Sequence, residues 1–197
     1  MDFAAALKRD RALVLDGATG TMVQALGLGD AAFGGPDYKM LVDLLNFSLP
    51  EAMRDIHLAF YRAGADAVET NTFGASAFRL AEYDFSGLDL SQWTANPHGV
   101  DPRRLSHDEL AYWLSRRGAE IAAGARDLHR RDRAFDGRPL FVVGSMGPSN
   151  RVISNTRATL RRATFDEVRA NFRRQALGLL DGGVDAFLYE TQQDILE

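Results

Sequence analysis

The chain has 197 residues, 46% of them hydrophobic and 25% charged, which is enough apolar mass for the core of one domain and too much for a disordered chain. A formal net charge of -4 gives no electrostatic footprint for nucleic acid, and no stretch approaches the roughly 18 consecutive apolar residues that a membrane span requires. The absence of cysteine excludes disulfides, thiolate metal sites and a cysteine nucleophile within these residues.

Residues 1–10 lack the apolar core of a secretory signal, so a cytoplasmic location with a small-molecule or protein partner is the simplest expectation. A strand-like run follows at Ala12 to Leu15 and ends in Asp16-Gly17-Ala18-Thr19-Gly20-Thr21-Met22. Gly27 to Phe47 is irregular. A helix is expected from Ser48, where Glu51 completes a capping box and Pro50 suits the first turn; Met53, Ile56, Phe60 and Ala63 form its apolar face, and Gly64 stops it. The next strand, Asp66 to Glu69, runs into Glu69-Thr70-Asn71-Thr72-Phe73. Tyr83 to His107, with Trp93, Asn96, Pro97, Gly99, Asp101 and Pro102, reads as a long surface loop, either a lid or a decoration.

Ser106 with Glu109 repeats the capping signal, ahead of Leu110, Leu114, Ile121, Ala125 and Leu128 at helical spacing. The strand Leu140 to Val143 then leads into Gly144-Ser145-Met146-Gly147-Pro148-Ser149-Asn150. Thr164 with Glu167 opens a third helix carrying Val168, Phe172, Ala176 and Leu179, with arginines 161, 162, 169, 173 and 174 as its solvated face. Asp185 to Tyr189 is the fourth strand, ending in Glu190-Thr191-Gln192-Gln193-Asp194. Short apolar strands alternating with helices specify a parallel α/β fold, doubly wound or a (β/α)8 barrel. Gly64-Ala65-Asp66-Ala67-Val68-Glu69-Thr70 echoes Gly183-Val184-Asp185-Ala186-Phe187-Leu188-Tyr189-Glu190-Thr191, and repetition of one βα unit favours the barrel.

In a parallel sheet, Asp16, Glu69, Asn71 and Glu190 end their strands on the ligand-binding face. A carboxylate beside Gly17 suits an amino group, although Asp16 could simply cap its turn and each glutamate could bond loop backbone. The Gly17 to Gly20 spacing does not fit a dinucleotide fingerprint. His57, His98, His107 and His129 are scattered, with no metal-ligand spacing.

Taken in order, the four strand-end motifs resemble those of the homocysteine S-methyltransferase family, most of all the N-terminal homocysteine-binding module of its cobalamin-dependent methionine synthases. The resemblance runs from about Arg11 to Glu197, apart from an insertion at about 84–107. It implies a (β/α)8 TIM-type barrel that methylates homocysteine to methionine, with zinc binding the substrate sulfur. Zinc matters because a thiol of pKa about 8.5 is mostly protonated at neutral pH, and coordination deprotonates it. By the resemblance, Asp16 and Gly17 hold the amino end of homocysteine, Glu190 orients the same substrate, and Glu69, Asn71 and Thr72 shape the pocket floor.

The family's zinc cysteines lie on strands six and eight and have no counterpart here, so neither metal ligands nor catalytic residues are expected in this chain. Residues 1–197 are expected to form a single partial domain, the N-terminal half of the barrel with about four βα units. Cobalamin and methyltetrahydrofolate would act through other domains. A half-barrel exposes two sheet edges, which a missing C-terminal half or a second copy would cover. A non-catalytic pseudoenzyme or assembly module is the competing reading. An aldolase-like barrel would need a lysine or paired acids at a strand end, and Lys8 and Lys39 lie at neither.

Overall fold

A computed structural model describes residues 2–9, 11–93, 96–154, 161–194 and 196, with the side chain of Arg161 outside the description. Its helices are α1 (Phe3–Ala6), α2 (Thr19–Ala25), α3 (Leu45–Ser48), α4 (Pro50–Ala63), α5 (Ala77–Leu80), α6 (His107–Arg130) and α7 (Phe165–Asp181). Its strands are β1 (Ala67–Glu69), β2 (Phe141–Met146), β3 (Arg151–Val152), β4 (Arg161–Arg162) and β5 (Ala186–Tyr189). No helix among the described residues is long and apolar enough to cross a membrane.

Local chemistry starts the two long helices as expected. Ser106 and Thr164 accept hydrogen bonds from the backbone N–H groups of Glu109 and Glu167, both at 3.3 Å. The glutamates reciprocate at the cap N–H groups, at 2.9 and 2.7 Å. The third expected box does not form. Helix α4 starts at Pro50 from an uncapped Leu49, because the Ser48 hydroxyl donates instead to Ala32 O at 2.6 Å and ties down the irregular segment before it. Met53, Ile56 and Tyr61 form the buried face of α4, whereas Ala63 is exposed; on α6 it is Leu128 that turns outward. Val168, Phe172 and Leu179 pack α7 inward as expected, but Arg162 lies in β4 rather than on the helix.

The main sheet is parallel, in the order β1-β2-β5, registered Glu69 against Val143 and Met146 against Tyr189. The expected first strand contracts to one parallel bridge, Leu15 to Ala67, with Val14 O accepting from both Asp66 N (2.8 Å) and Ala67 N (3.2 Å). Four parallel positions therefore follow one another in chain order, without the reversal that a doubly wound sheet has at its switch point. The central β2 is buried throughout. The flanks are not: Val14 and Leu15 are 50% and 41% exposed on one side, Phe187 and Tyr189 42% and 55% on the other.

The internal repeat is physical. Gly64 and Gly183 both adopt left-handed backbone (φ 110° and 90°) after their helices. Two residues later, Asp66 and Asp185 clamp the preceding strand twice. Their N–H groups donate to Val14 O and Val142 O at 2.8 Å, and their carboxylates accept from Val14 N (2.9 Å) and Val142 N (2.8 Å).

Residues 83–107 are not a surface loop. Phe85, Leu88, Trp93 and Val100 are buried in the main core, and the Trp93 ring stacks on Phe47 at 4.7 Å. Residues 94 and 95 of that segment lie outside the described residues. Its apolar side chains had to find a core, and the nearest one was the α3–α6 face.

Candidate functional site

A cavity of about 650 Å³ opens at the carboxyl ends of the parallel strands, where loop backbone and strand-end side chains can meet a ligand. Its walls come from Gly17 to Gly20, from Val42 and Asp43, from Glu69 to Asn71 with Phe73 and Gly74, from Ser145, Pro148 and Asn150, and from Glu190. The first irregular segment thus lines the site, whereas the described residues of 83–107 do not.

Glu69 and Glu190 line this cavity, and Asp16, which is not among its lining residues, sits against the Glu69 backbone. Both oxygens of Asp16 accept from Glu69 N, at 3.0 and 3.1 Å. Ser145 Oγ donates to Glu190 Oε1. The turn after Glu190 is fixed by a left-handed Thr191 (φ 56°) and by Gln192, whose Nε2 reaches back to Met146 O at 3.1 Å. Burial pushes the Asp16 carboxyl up to about 7, against the pull of the Glu69 N–H and with help from the Glu190 charge. Burial also holds Glu69 well above the usual carboxylate range, reinforced by Glu190 and Asp16.

The other expected residues divide. Gly17 lines the cavity. Asn71 lines it too, but its Nδ2 is engaged with Val42 O (3.0 Å) and Asn46 Oδ1 (3.1 Å), so it anchors the irregular segment to the site. Thr72 is fully buried behind the wall. Its hydroxyl donates to Ser145 O at 2.7 Å and lies 2.6 Å from Thr70 Oγ1, which accepts from Ser145 N at 3.0 Å. Gln175 of α7 closes the network by donating to Thr72 O at 2.7 Å.

Two polar lining residues, Asp43 and Arg79, carried no strand-end signal, and Asn150 closed the third strand-end motif without being singled out. Asp43 is fully buried, receives Gly74 N at 3.0 Å, and is raised by burial to about 6. Arg79 bonds Glu82 and lies 5.4 Å over the Tyr83 ring. Asn150, in left-handed backbone (φ 59°), donates to Glu82 Oε1 at 3.1 Å. The histidines stay away from the cavity: His57 is buried within α4 and His98 pairs with Glu120 at 3.0 Å. Among the described residues no group of three or more His, Asp or Glu is arranged to hold a metal ion.

The family model for homocysteine S-methyltransferase matches residues 13–197. The chain belongs to the homocysteine S-methyltransferase family. It is 36% identical over 189 residues to the methionine synthase of Mycobacterium tuberculosis and 35% identical over 192 residues to that of Mycobacterium leprae, in each case covering 95% of this chain. The chain spans 13% of the length of those relatives. Structures of the homocysteine methyltransferase MmuM from Escherichia coli, in oxidised and metallated forms, share its fold with a TM-score of 0.69 at 24% identity, covering 98% of this chain and 57–58% of theirs.

Proposed function

We propose that this chain is the homocysteine-binding part of a methyltransferase that converts homocysteine to methionine, and that it forms the N-terminal half of the enzyme's (β/α)8 barrel. The observation that carries this is the placement of Glu69 and Glu190 on the wall of a strand-end cavity, with Asp16 held against Glu69 N, in a chain of this family. An α-ammonium group is the complement of such a carboxyl cluster: it presents several N–H donors and a positive charge where the protein supplies acceptors and little cation. Gly17 leaves backbone open beside Asp16, Ser145 aims Glu190, and the buried Thr72 holds the wall behind them.

The donor set does not fit zinc. The chain has no cysteine, and among the described residues the carboxyls of Asp16 and Glu190 are engaged by Glu69 N and Ser145 Oγ rather than disposed around a cation. No step through a metal is therefore assigned to these residues: the chain's part is to bind and orient the amino end, while thiol activation and the methyl donor, whether through cobalamin and methyltetrahydrofolate or otherwise, belong to other parts of the protein. The exposed Val14, Leu15, Phe187 and Tyr189 support further strands covering the two flanks.

Calorimetric titration with homocysteine tests the reading, for this chain alone and combined with the rest of the barrel. Binding that needs the combination and disappears in Asp16→Ala and Glu190→Ala is the expected result. Unchanged affinity in both variants would remove the site, and binding by the lone chain with no turnover in the combined protein would favour a non-catalytic module.

A further inference from the structure

We infer that residues 83–89, which do not line the cavity, are a positioning brace for its wall: Leu88 and its neighbours hold the segment that carries Met40, Val42 and Asp43, and through it set the affinity for substrate. The effect on affinity rests on the site proposed above, whereas the bracing rests on contacts alone. The wall segment has little regular structure of its own. It is a run of short 3-10 turns, Asp30–Phe33, Pro36–Tyr38 and Val42–Leu44. Such turns have poor hydrogen-bond geometry and rarely extend past four residues, so the position of the wall must come from what packs around it.

On the cavity side, Asn71 Nδ2 donates to Val42 O and Gly74 N to Asp43 Oδ1, both at 3.0 Å. On the outer side the same segment meets the brace. Tyr38 Oη donates to Asp84 O at 2.6 Å, and its ring stacks on that of Phe85 with centroids 5.9 Å apart. Asp89 N donates to Gly34 O at 2.9 Å. Gly34, in left-handed backbone (φ 80°), presses on the brace so closely that a Cβ there would lie 2.5 Å from Leu88 Cδ1 and 2.9 Å from Asp89 O. Tyr38, Phe85 and Leu88 are buried in the same core as Leu41 and Leu44, the side chains that point inward between the cavity-lining residues. The brace also grips a second part of the wall, because Tyr83 Oη accepts from Arg79 Nη2 at 3.1 Å.

Shortening Leu88 leaves a void against Gly34. The wall must then be ordered by the ligand, which costs affinity without removing any group that touches it.

The test is homocysteine titration calorimetry on the full-length protein, with hydrogen exchange in the wall segment as a ligand-free readout, for the wild type, Leu88→Ala and Tyr38→Phe. Leu41 N and Leu44 N bond Tyr38 O at 2.8 Å and Leu41 O at 3.2 Å, so their exchange reports opening of that segment. Leu88→Ala is expected to weaken homocysteine binding about 2- to 30-fold, the range for residues that act through a packed network, and to speed exchange at both amides. Tyr38→Phe removes only a hydroxyl and should move both readouts the same way by less; it decides the matter if Leu88→Ala does not fold. Leu88→Met keeps the volume and should restore most of both. Asp185→Ala, which destabilises the opposite end of the sheet, should change neither.

Unchanged affinity in both Leu88→Ala and Tyr38→Phe would overturn the inference. Equal weakening by Asp185→Ala would overturn it too, by making the effect one of general stability. Failure of the wild type to bind homocysteine at all would instead remove the proposed substrate, and exchange alone would then judge the brace, with unchanged rates at Leu41 and Leu44 refuting it.

Discussion

Replacing Thr72 by valine separates a residue that touches substrate from one that holds the wall. Thr72 has one hydroxyl hydrogen and gives it to Ser145 O, so the 2.6 Å contact with Thr70 must be donated by Thr70. Thr70 in turn accepts Ser145 N. The hydroxyls thus stitch the end of β1 to the end of β2, and through Ser145 to Glu190. Valine keeps the shape but strands two buried groups, the Thr70 hydroxyl and a carbonyl left with only a 3.4 Å contact from Gln175. Leaving buried polar groups unsatisfied costs about 1–3 kcal/mol. For a chain of this length that is a fall in Tm of roughly 2–12 °C, read by thermal or denaturant unfolding at constant m-value. Homocysteine affinity should weaken alongside, because Ser145 and Glu190 lose their register. Thr72→Ser keeps the hydroxyl and should retain most of both. If Thr72→Val is neutral in stability while Thr72→Ser is costly, the methyl group packed near Gly118 matters and the hydroxyl chain does not.

Other outcomes follow from the same geometry. Gly178→Ala should destabilise by about 1–3 kcal/mol, since its Cβ would lie 2.2 Å from Tyr112 O where α6 and α7 cross; an unchanged unfolding midpoint would show that the helices can part freely. Asp66→Ala should cost more than Asp185→Ala, as Asp66 is fully buried and also carries Arg11 at 2.5 Å, and hydrogen exchange should quicken at Val14 in the first and at Val142 in the second. His57 is buried with neither ring nitrogen partnered, and burial lowers it to about 4. Its folded value lies below the unfolded 6.5, so the fold is most stable above that pH and loses up to about 3 kcal/mol on acidification toward 4. His57→Phe should flatten that acid limb in a pH series of unfolding curves.

What the sequence made legible depended on whether a residue's partner was local. The Ser106 and Thr164 boxes form because their competitors were only water, whereas Ser48 carries the same signature and loses its box to a distant carbonyl, Ala32 O. The strand ends were legible because apolar runs stop at Glu69 and Glu190. The direction of each side chain beyond them was not: Asn71 lines the cavity while Thr72, one residue on, is buried behind it. Asp43 and Arg79 were missed because no periodicity marks the segments that bring them to the cavity. The apolar spacing of Phe85, Leu88 and Trp93 could have argued against a surface loop, had it been weighed above the surrounding Pro, Gly and Asn.

The two ends of the sheet have different work, and the repeat makes this visible. At the amino ends, Asp66 and Asp185 are each committed to a strand N–H and an arginine, so charge there is neutralised and serves stability. At the carboxyl ends, Glu69 and Glu190 of the same two units have no arginine partner among the described residues and face a cavity. Similar repeats with opposite electrostatic treatment at their two ends are what a parallel sheet needs to be both stable and receptive. The flanks extend this logic sideways. Covering a large apolar side chain is worth about 1.5–3 kcal/mol, so Phe187 and Tyr189 on one flank and Val14 and Leu15 on the other favour additional strands over solvent. Polar substitution of Phe187 should therefore leave the lone chain's stability nearly unchanged and weaken its association with the rest of the proposed barrel, whereas the same change at Tyr189, whose ring meets Phe172 edge-on at 5.8 Å, should also cost the lone chain some stability. A loss of stability in the Phe187 variant of the lone chain with association intact would mean that this side chain already has its partner.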